Sequence, residues 1–198
     1  MSDSPLIARS AFSGLARSVG DGSGVVAADR DGLGLATVAA LKGRAEALPQ
    51  RVLERFGIAL PDGPFRSTAD GIAFAGTAPG TWLATRENGG NDFAADLREQ
   101  IGAFAAVCDQ SDGYAVLRLT GPMLRSALSK LIPIDLHSRA FKAGDVASTV
   151  AAHMGVTLWR LPDADGALVV DIAVFRSLAG SFWHALAQSS AEFGLIAV

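Results

Sequence analysis

Metal binding, nucleophilic attack and proton transfer each demand particular side chains at particular spacings, and this sequence offers few of them. His137, His153 and His184 are its three histidines. They lie too far apart to match a local ligand pattern, in which donors recur within a few residues. Cys108 is the one cysteine. It has no CxxC partner, and a lone thiol without a cationic neighbourhood reads as a small buried hydrophobe. Asp135 and Asp171 have the chemistry of an acid or base, but nothing in the sequence sets either beside a second carboxylate. Asp109 and Ser111 flank Gln110 in CDQSDG, where short polar side chains brace a turn by bonding local backbone. No nucleophile–base set assembles. The residues therefore nominate no catalytic, cofactor-binding or metal site.

Two glycine-rich stretches invite a phosphate reading. VGDGSG at 19–24 has no helix after it and no clear strand before it, so it fits neither a P-loop nor a dinucleotide fingerprint. ENGGND at 87–92 does precede a helix, whose N-terminal N–H groups can meet an anion. The simpler reading is a turn followed by an N-cap, with Asn91 or Asp92 capping a helix over 92–104.

The elements that would position these residues are mixed. Residues 1–24 are small, polar and glycine-rich, and read as a flexible arm. Leu6, Ile7, Phe12 and Leu15 are its apolar exceptions, suited to docking on the body or on a partner. Residues 25–28 and 33–40 flank DRDG and read as a hairpin. Residues 44–56 read as a helix with Ala45, Leu48, Val52 and Phe56 on one face, Pro49 in its first turn or at a kink, and Gly57 at its end. Residues 71–77 and 80–86 form a second hairpin across Ala78, Pro79 and Gly80. In the helix over 92–104, Phe93, Leu97 and Ile101 make the stripe.

The second half opens with a strand over 114–120, which points Leu117 and Leu119 one way and Val116 and Arg118 the other. Gly121 and Pro122 form a hinge into a helix over 122–132. Its inward face carries Met123, Leu124, Ala127, Leu128 and Leu131, and Arg125, Ser126, Ser129 and Lys130 lie opposite. Strands over 147–151, 155–160 and 167–174 follow, separated by Gly155 and the PDADG turn. A last helix over 176–192 stops at Gly194. The order of elements repeats in pattern, with little residue identity. The expected fold is α+β: two intertwined strand–helix–strand half-units with antiparallel sheets, about 25–107 and 108–198, forming one unit over 25–198.

Composition narrows the partners. The chain has 198 residues, 49% hydrophobic and 19% charged, with net charge −3. The charged share is below the usual ~25%, and low charge fits a chain with apolar surface for a partner. The net charge and the absence of a basic run argue against nucleic acid. No apolar stretch approaches the length of a membrane span, no signal peptide is evident, and one cysteine makes no internal disulfide. The expectation is a soluble cytoplasmic protein.

Several segments together resemble a known family. They are RSAFSGL at 9–15, LKGRAEAL, ERFGIALP ending at Pro61, GTAPGTWLA ending at Ala84, DQS at 109–111, LTGPMLRSALSKLIPIDLHSRAF and SFWHAL at 181–186. In order and spacing they are similar to the gamma subunit of heterotetrameric sarcosine oxidase. The resemblance implies a fold like the folate-binding domain of aminomethyltransferases of the glycine-cleavage T-protein type. It implies a non-catalytic companion of alpha, beta and delta subunits, chiefly alpha, binding no cofactor itself. FAD, FMN, NAD and tetrahydrofolate are then expected on other subunits. The complex would convert sarcosine, oxygen and tetrahydrofolate to glycine, hydrogen peroxide and methylene-tetrahydrofolate. The alternative is a stand-alone tetrahydrofolate-binding or aminomethyltransferase-like one-carbon protein. Asp29 and Asp31 lie where aminomethyltransferases carry a folate-engaging acid, but without the matching motif. Lys42 and Gly43 are followed by Arg44, not by the cysteine of folate-dependent iron–sulfur repair relatives. No folate-binding residue carries over.

Overall fold

The structure is a computed structural model that describes residues 9–15 and 17–198, the side chain of Asn91 excepted. Leu6 and Ile7 lie outside the described residues. Strands β1 (Ser18–Val19), β2 (Val25–Asp29) and β3 (Gly34–Ala40) precede helix α1 (Ala47–Phe56). Strands β4 (Arg66–Ala69), β5 (Ile72–Ala78) and β6 (Thr81–Arg86) precede α2 (Phe93–Ile101). Then come β7 (Ala105–Asp109), β8 (Tyr114–Thr120), α3 (Leu124–Leu128), β9 (Val146–Ala151), β10 (Met154–Ala164) and β11 (Ala167–Phe175). Helix α4 (Ala179–Ser190) and β12 (Leu195–Ala197) close the chain.

The strands make two sheets, ordered β1-β12-β2-β8-β11-β10-β9 and β4-β5-β6-β3-β7. All pairs are antiparallel except β12 with β2. The α+β class with antiparallel sheets is thus the fold of this chain. The strand period of two gives every strand two faces, and both faces of each sheet are used. On one face of the seven-stranded sheet Leu117, Leu119, Val170 and Ile172 pack with Leu124, Leu128, Phe182 and Leu186 of the helices. On one face of the five-stranded sheet Val38, Phe74 and Trp82 pack with Leu48, Val52, Phe93 and Leu97. The remaining faces bury Leu35, Ala75, Leu83, Val116, Trp159 and Ala173 in one cluster drawn from both sheets. The layers therefore run helices, sheet, sheet, helices.

The hairpin expected around DRDG does not form. β2 pairs with β8 and β12, whereas β3 pairs with β6 and β7 in the other sheet. The turn carries the chain from one sheet to the other, so a strand from the first half lies in the second half's sheet. β7 likewise runs on to Asp109 as the edge of the five-stranded sheet.

The hairpin through Pro79 and Gly80 is as expected, with Thr81 paired to Ala78. Helix α1 starts later than expected and leaves Ala45 exposed. Pro49 falls in its first turn, and Gly57 ends it by donating its N–H to the Leu53 carbonyl. Helix α2 stops at Ile101, and Asp92 makes no side-chain cap bond. Asp92 ends a short 3-10 turn over Gly90–Asp92 and already has helical dihedrals, φ −80° and ψ −19°, so it is not the extended residue that bonds forward. Asn91, the other expected cap, has a side chain outside the described set.

The hinge at Gly121 stands, at φ +118°, and a Cβ there would meet the Gly24 carbonyl oxygen at 2.5 Å. Pro122 precedes the helix and does not enter its first turn, because α3 begins at Leu124 and keeps only five residues. The β9–β10 turn is made by Ala152 and His153, both at positive φ, and Gly155 lies inside the strand. Residues of the N-terminal segment lie on the body. Phe12 and Leu15 pack against the helix-side core, Phe12 tilts against Trp183 at 6.4 Å, and β1 pairs with β12.

Candidate functional site

Alternation along β8 and β11 decides where the charges go. Leu117 and Leu119 face the helices, so Val116 and Arg118 face the other sheet. Val170 and Ile172 face the helices, so Asp171 and Ala173 face inward. Arg118 and Asp171 stand directly opposite one another in register. Arg118 Nε and Nη2 donate to the two Asp171 carboxylate oxygens at 2.7 and 2.8 Å. Such a two-point bond fixes the guanidinium plane as well as its charge. Asp171 is buried, while the Arg118 side chain is 31% exposed. The bonds to Asp171 push the Arg118 guanidinium above its usual range, with burial opposing.

Three more charges join them, Arg66 and Glu87 from the facing sheet and Arg30 from the end of β2 in the same sheet. Arg66 on β4 pairs with Ala75 in register, on the face that Ala75 turns toward the seven-stranded sheet. Glu87 follows β6, and Arg30 follows β2. Arg30 is ion-paired to Glu87. Arg66 is different. Its side chain makes no hydrogen bond among the described residues, and its buried Nε has no partner. Burial holds its guanidinium below the usual range, partly offset by Asp171 and Glu87. Three guanidiniums thus share two carboxylates, and the excess positive charge sits on Arg66.

Three of these five groups line an open cleft of about 460 Å³ between the sheets. Arg66, Glu87, Arg118 and Thr120 form its polar side. Leu161, Pro162, Ala164 and Val169 form its apolar side. Just inside, Trp159 stands opposite Asp171 across β10 and β11, and its buried Nε1 has no partner. Chemically this end can hold an anion beside an apolar body. It offers fixed donors and a locked carboxylate, with no nucleophile.

The residues singled out by sequence go elsewhere, Asp171 excepted. His137, His153 and His184 are exposed on three different elements, and the described residues contain no group of three or more possible metal ligands. Asp135 accepts the His137 N–H at 2.8 Å, a local turn brace. Asp109 accepts the Ser111 N–H at 2.9 Å and braces its turn as expected, whereas Ser111 Oγ accepts the Leu35 N–H at 3.1 Å, a bond to the start of β3 and not to local backbone. Cys108 is exposed, not buried, because β7 is an edge strand with its outer positions open to solvent. Asp29 lies in a smaller cavity of about 280 Å³ beside Ser10 and Trp183. Burial raises its carboxyl pKa, and the hydrogen bond from Ser10 opposes this. Asp31, Lys42 and Arg44 are exposed or on loops.

Sequence reasoning missed Arg30, Arg66, Glu87 and Arg118 as a group. A signal existed for part of it. VLRLT and VVDIAV each place one charge at an inward position of an otherwise apolar strand, and a charge so placed needs a partner.

Residues 44–192 match the family model described as "Sarcosine oxidase, gamma subunit family". A sarcosine oxidase subunit gamma from Corynebacterium sp. (strain P-1) is 34% identical over 110 residues, 54% of this chain and 54% of that one. A subunit gamma from Arthrobacter sp. is 35% identical over 107 residues, 52% of each chain. The matched stretch thus spans about half the length of these curated relatives. Among solved structures, a chain of the heterotetrameric sarcosine oxidase from Corynebacterium sp. U-96 superposes with TM-score 0.80 at 24% identity, over 94% of this chain and 96% of that one. The glycine cleavage system aminomethyltransferase T from Bartonella henselae superposes with TM-score 0.63 at 14% identity, over 88% of this chain and 47% of that one. These two likenesses are of fold. With three quarters of its length inside the family model, this chain belongs to the sarcosine oxidase gamma subunit family.

Proposed function

We propose that this chain is the gamma subunit of a heterotetrameric sarcosine oxidase, a companion that supports oxidative demethylation of sarcosine without performing it. The observation that carries the reading is the family match over residues 44–192. The fold likeness to a chain of such an enzyme, over nearly all of both chains, supports it. In this reading alpha, beta and delta subunits are the partners, chiefly alpha. FAD, FMN, NAD and tetrahydrofolate reside on them, and the complex works in the cytoplasm. Glycine, hydrogen peroxide and methylene-tetrahydrofolate are the products. Residues 25–198 act as one unit of two half-units, 25–107 and 108–198, with residues 1–24 as its arm.

The test is an affinity-tagged copy expressed from its own locus. The expected result is co-purification with larger flavin-bearing chains and sarcosine-dependent peroxide formation by the eluate. Deleting the gene is expected to remove that activity or the assembly. A tagged chain that elutes alone, in cells whose sarcosine oxidation is unchanged by the deletion, overturns the reading.

A further inference from the structure

The open end of the inter-sheet layer holds a cation that the protein itself does not satisfy. Both oxygens of Asp171 are occupied by Arg118. Glu87 is occupied by Arg30. Arg66 is left with no side-chain hydrogen bond among the described residues, and with its Nε shielded from solvent. Arg118 Nη1 is also without a protein partner among those residues, since its pair uses Nε and Nη2. Burying a guanidinium without acceptors costs free energy that a bound anion would recover. The opposite wall is hydrocarbon from Leu161, Pro162 and Val169, in a cleft of about 460 Å³. That size falls within the range of small-molecule sites, roughly 300–1,000 Å³.

We propose that this cleft is a binding site for a small organic monocarboxylate with a compact apolar body, its carboxylate on Arg66 and the free Nη1 of Arg118. A guanidinium favours a carboxylate because its planar donors match two oxygens at once. A dianion is disfavoured, since one positive charge is in excess and Glu87 lines the same cleft. A purely hydrophilic anion would leave the Leu161–Pro162 wall in contact with nothing. The inference stands independently of the subunit assignment, because every group it uses belongs to this chain.

Fluorine NMR of 4-fluorobenzoate, titrated with the full chain together with whatever chains co-purify, tests it. 4-Fluorobenzamide is the neutral isostere. Saturable binding of the benzoate and not of the amide is expected. R66Q is expected to weaken the benzoate about tenfold or more, the scale of a lost charge-assisted hydrogen bond. A164E is expected to do the same by placing a carboxylate on the exposed rim of the cleft that Arg66 and Arg118 line. R55Q, on the exposed face of α1, is expected to change nothing. Circular dichroism identifies any variant that fails to fold. The proposal is overturned if the wild type shows no saturable binding, if the amide binds equally, or if both folded cleft variants bind as the wild type does.

Discussion

The two ends of the layer between the sheets are built from the same strands and use opposite chemistry. At one end Leu33, Leu35, Ala75, Leu83, Val116 and Ala173 close on each other with little exposure. At the other end Arg118 and Asp171 face inward in register, Arg66 faces them from β4, and Arg30 reaches from beside Val116 to pair with Glu87. The apolar end is held by burial alone, which is non-directional and tolerates any close-packed shape. The charged end needs each acceptor matched to a donor, and it leaves Arg66 over. A layer that were only a structural seam would do better with hydrocarbon throughout, since a buried ion pair adds little over packed apolar residues. The contrast therefore separates what holds the two sheets together from what the open end is available to bind.

Trp159 joins the two ends, so its loss is expected to have the largest effect. It is one of the largest fully buried side chains, packs with the apolar cluster and stands across from Asp171. Trp159→Ala is expected to destabilise the chain by about 4 kcal/mol, the usual scale for emptying a large aromatic site. Urea unfolding checks this. A cost under about 1 kcal/mol would mean that the sheets are held elsewhere. The backbone pairing of Phe65 with Asp145, and the bonds from Arg66 N to Gly144 and from Val146 N to Pro64, would then be the main tie between them.

The Arg118–Asp171 pair distinguishes two accounts of the charged end. Asp171→Ala leaves a partly buried guanidinium without its acceptor. The expected cost is about 3 kcal/mol, toward the low side of the range because Arg118 keeps 31% of its side chain in solvent. The double change Arg118→Met with Asp171→Leu is expected to come within about 1 kcal/mol of the wild type, since no charge is then stranded. A double variant as unstable as Asp171→Ala would show instead that the pair itself holds the sheets together.

How much of this was legible in the sequence follows the same divide. The alternation of Leu117 and Leu119 against Val116 and Arg118, Leu48 and Val52 of α1, the Phe93–Leu97–Ile101 stripe of α2, and the turn at Pro79–Gly80 are set by local periodicity and turn chemistry, and the structure has them where the sequence places them. The partners of β2 and β3 were not. DRDG has the composition of a hairpin turn, and nothing local records that its two flanks pair with strands far away in the chain, β2 with β8 and β12 and β3 with β6 and β7. Strands β1, β4, β7 and β12 are short or lie at or near sheet edges, where few positions are buried and the period of two is weak. The charged cleft was missed for a related reason. The five charges in and beside it come from five separate places in the chain, and only Arg118 and Asp171 stand out within apolar strands.

Arg66 is where the contrast gives an effect of unusual sign. Removing a buried side chain normally costs stability. Arg66 makes no side-chain hydrogen bond among the described residues, its Nε is shielded, and burial already disfavours its charge. Methionine keeps much of the length and apolar stem while removing the cation. Arg66→Met is therefore expected to raise stability by about 1 kcal/mol, the lower end of what apolar replacement of buried charge achieves. The same variant is expected to lose the rise in urea midpoint that 4-fluorobenzoate gives the wild type, because a ligand stabilises only the state that binds it. A site kept for binding rather than for folding has that signature, with function and stability moving in opposite directions. If Arg66→Met instead lowers stability by more than about 1 kcal/mol, the attraction of Asp171 and Glu87 for Arg66 outweighs its desolvation. The charged end would then belong with the apolar end as part of what holds the sheets together.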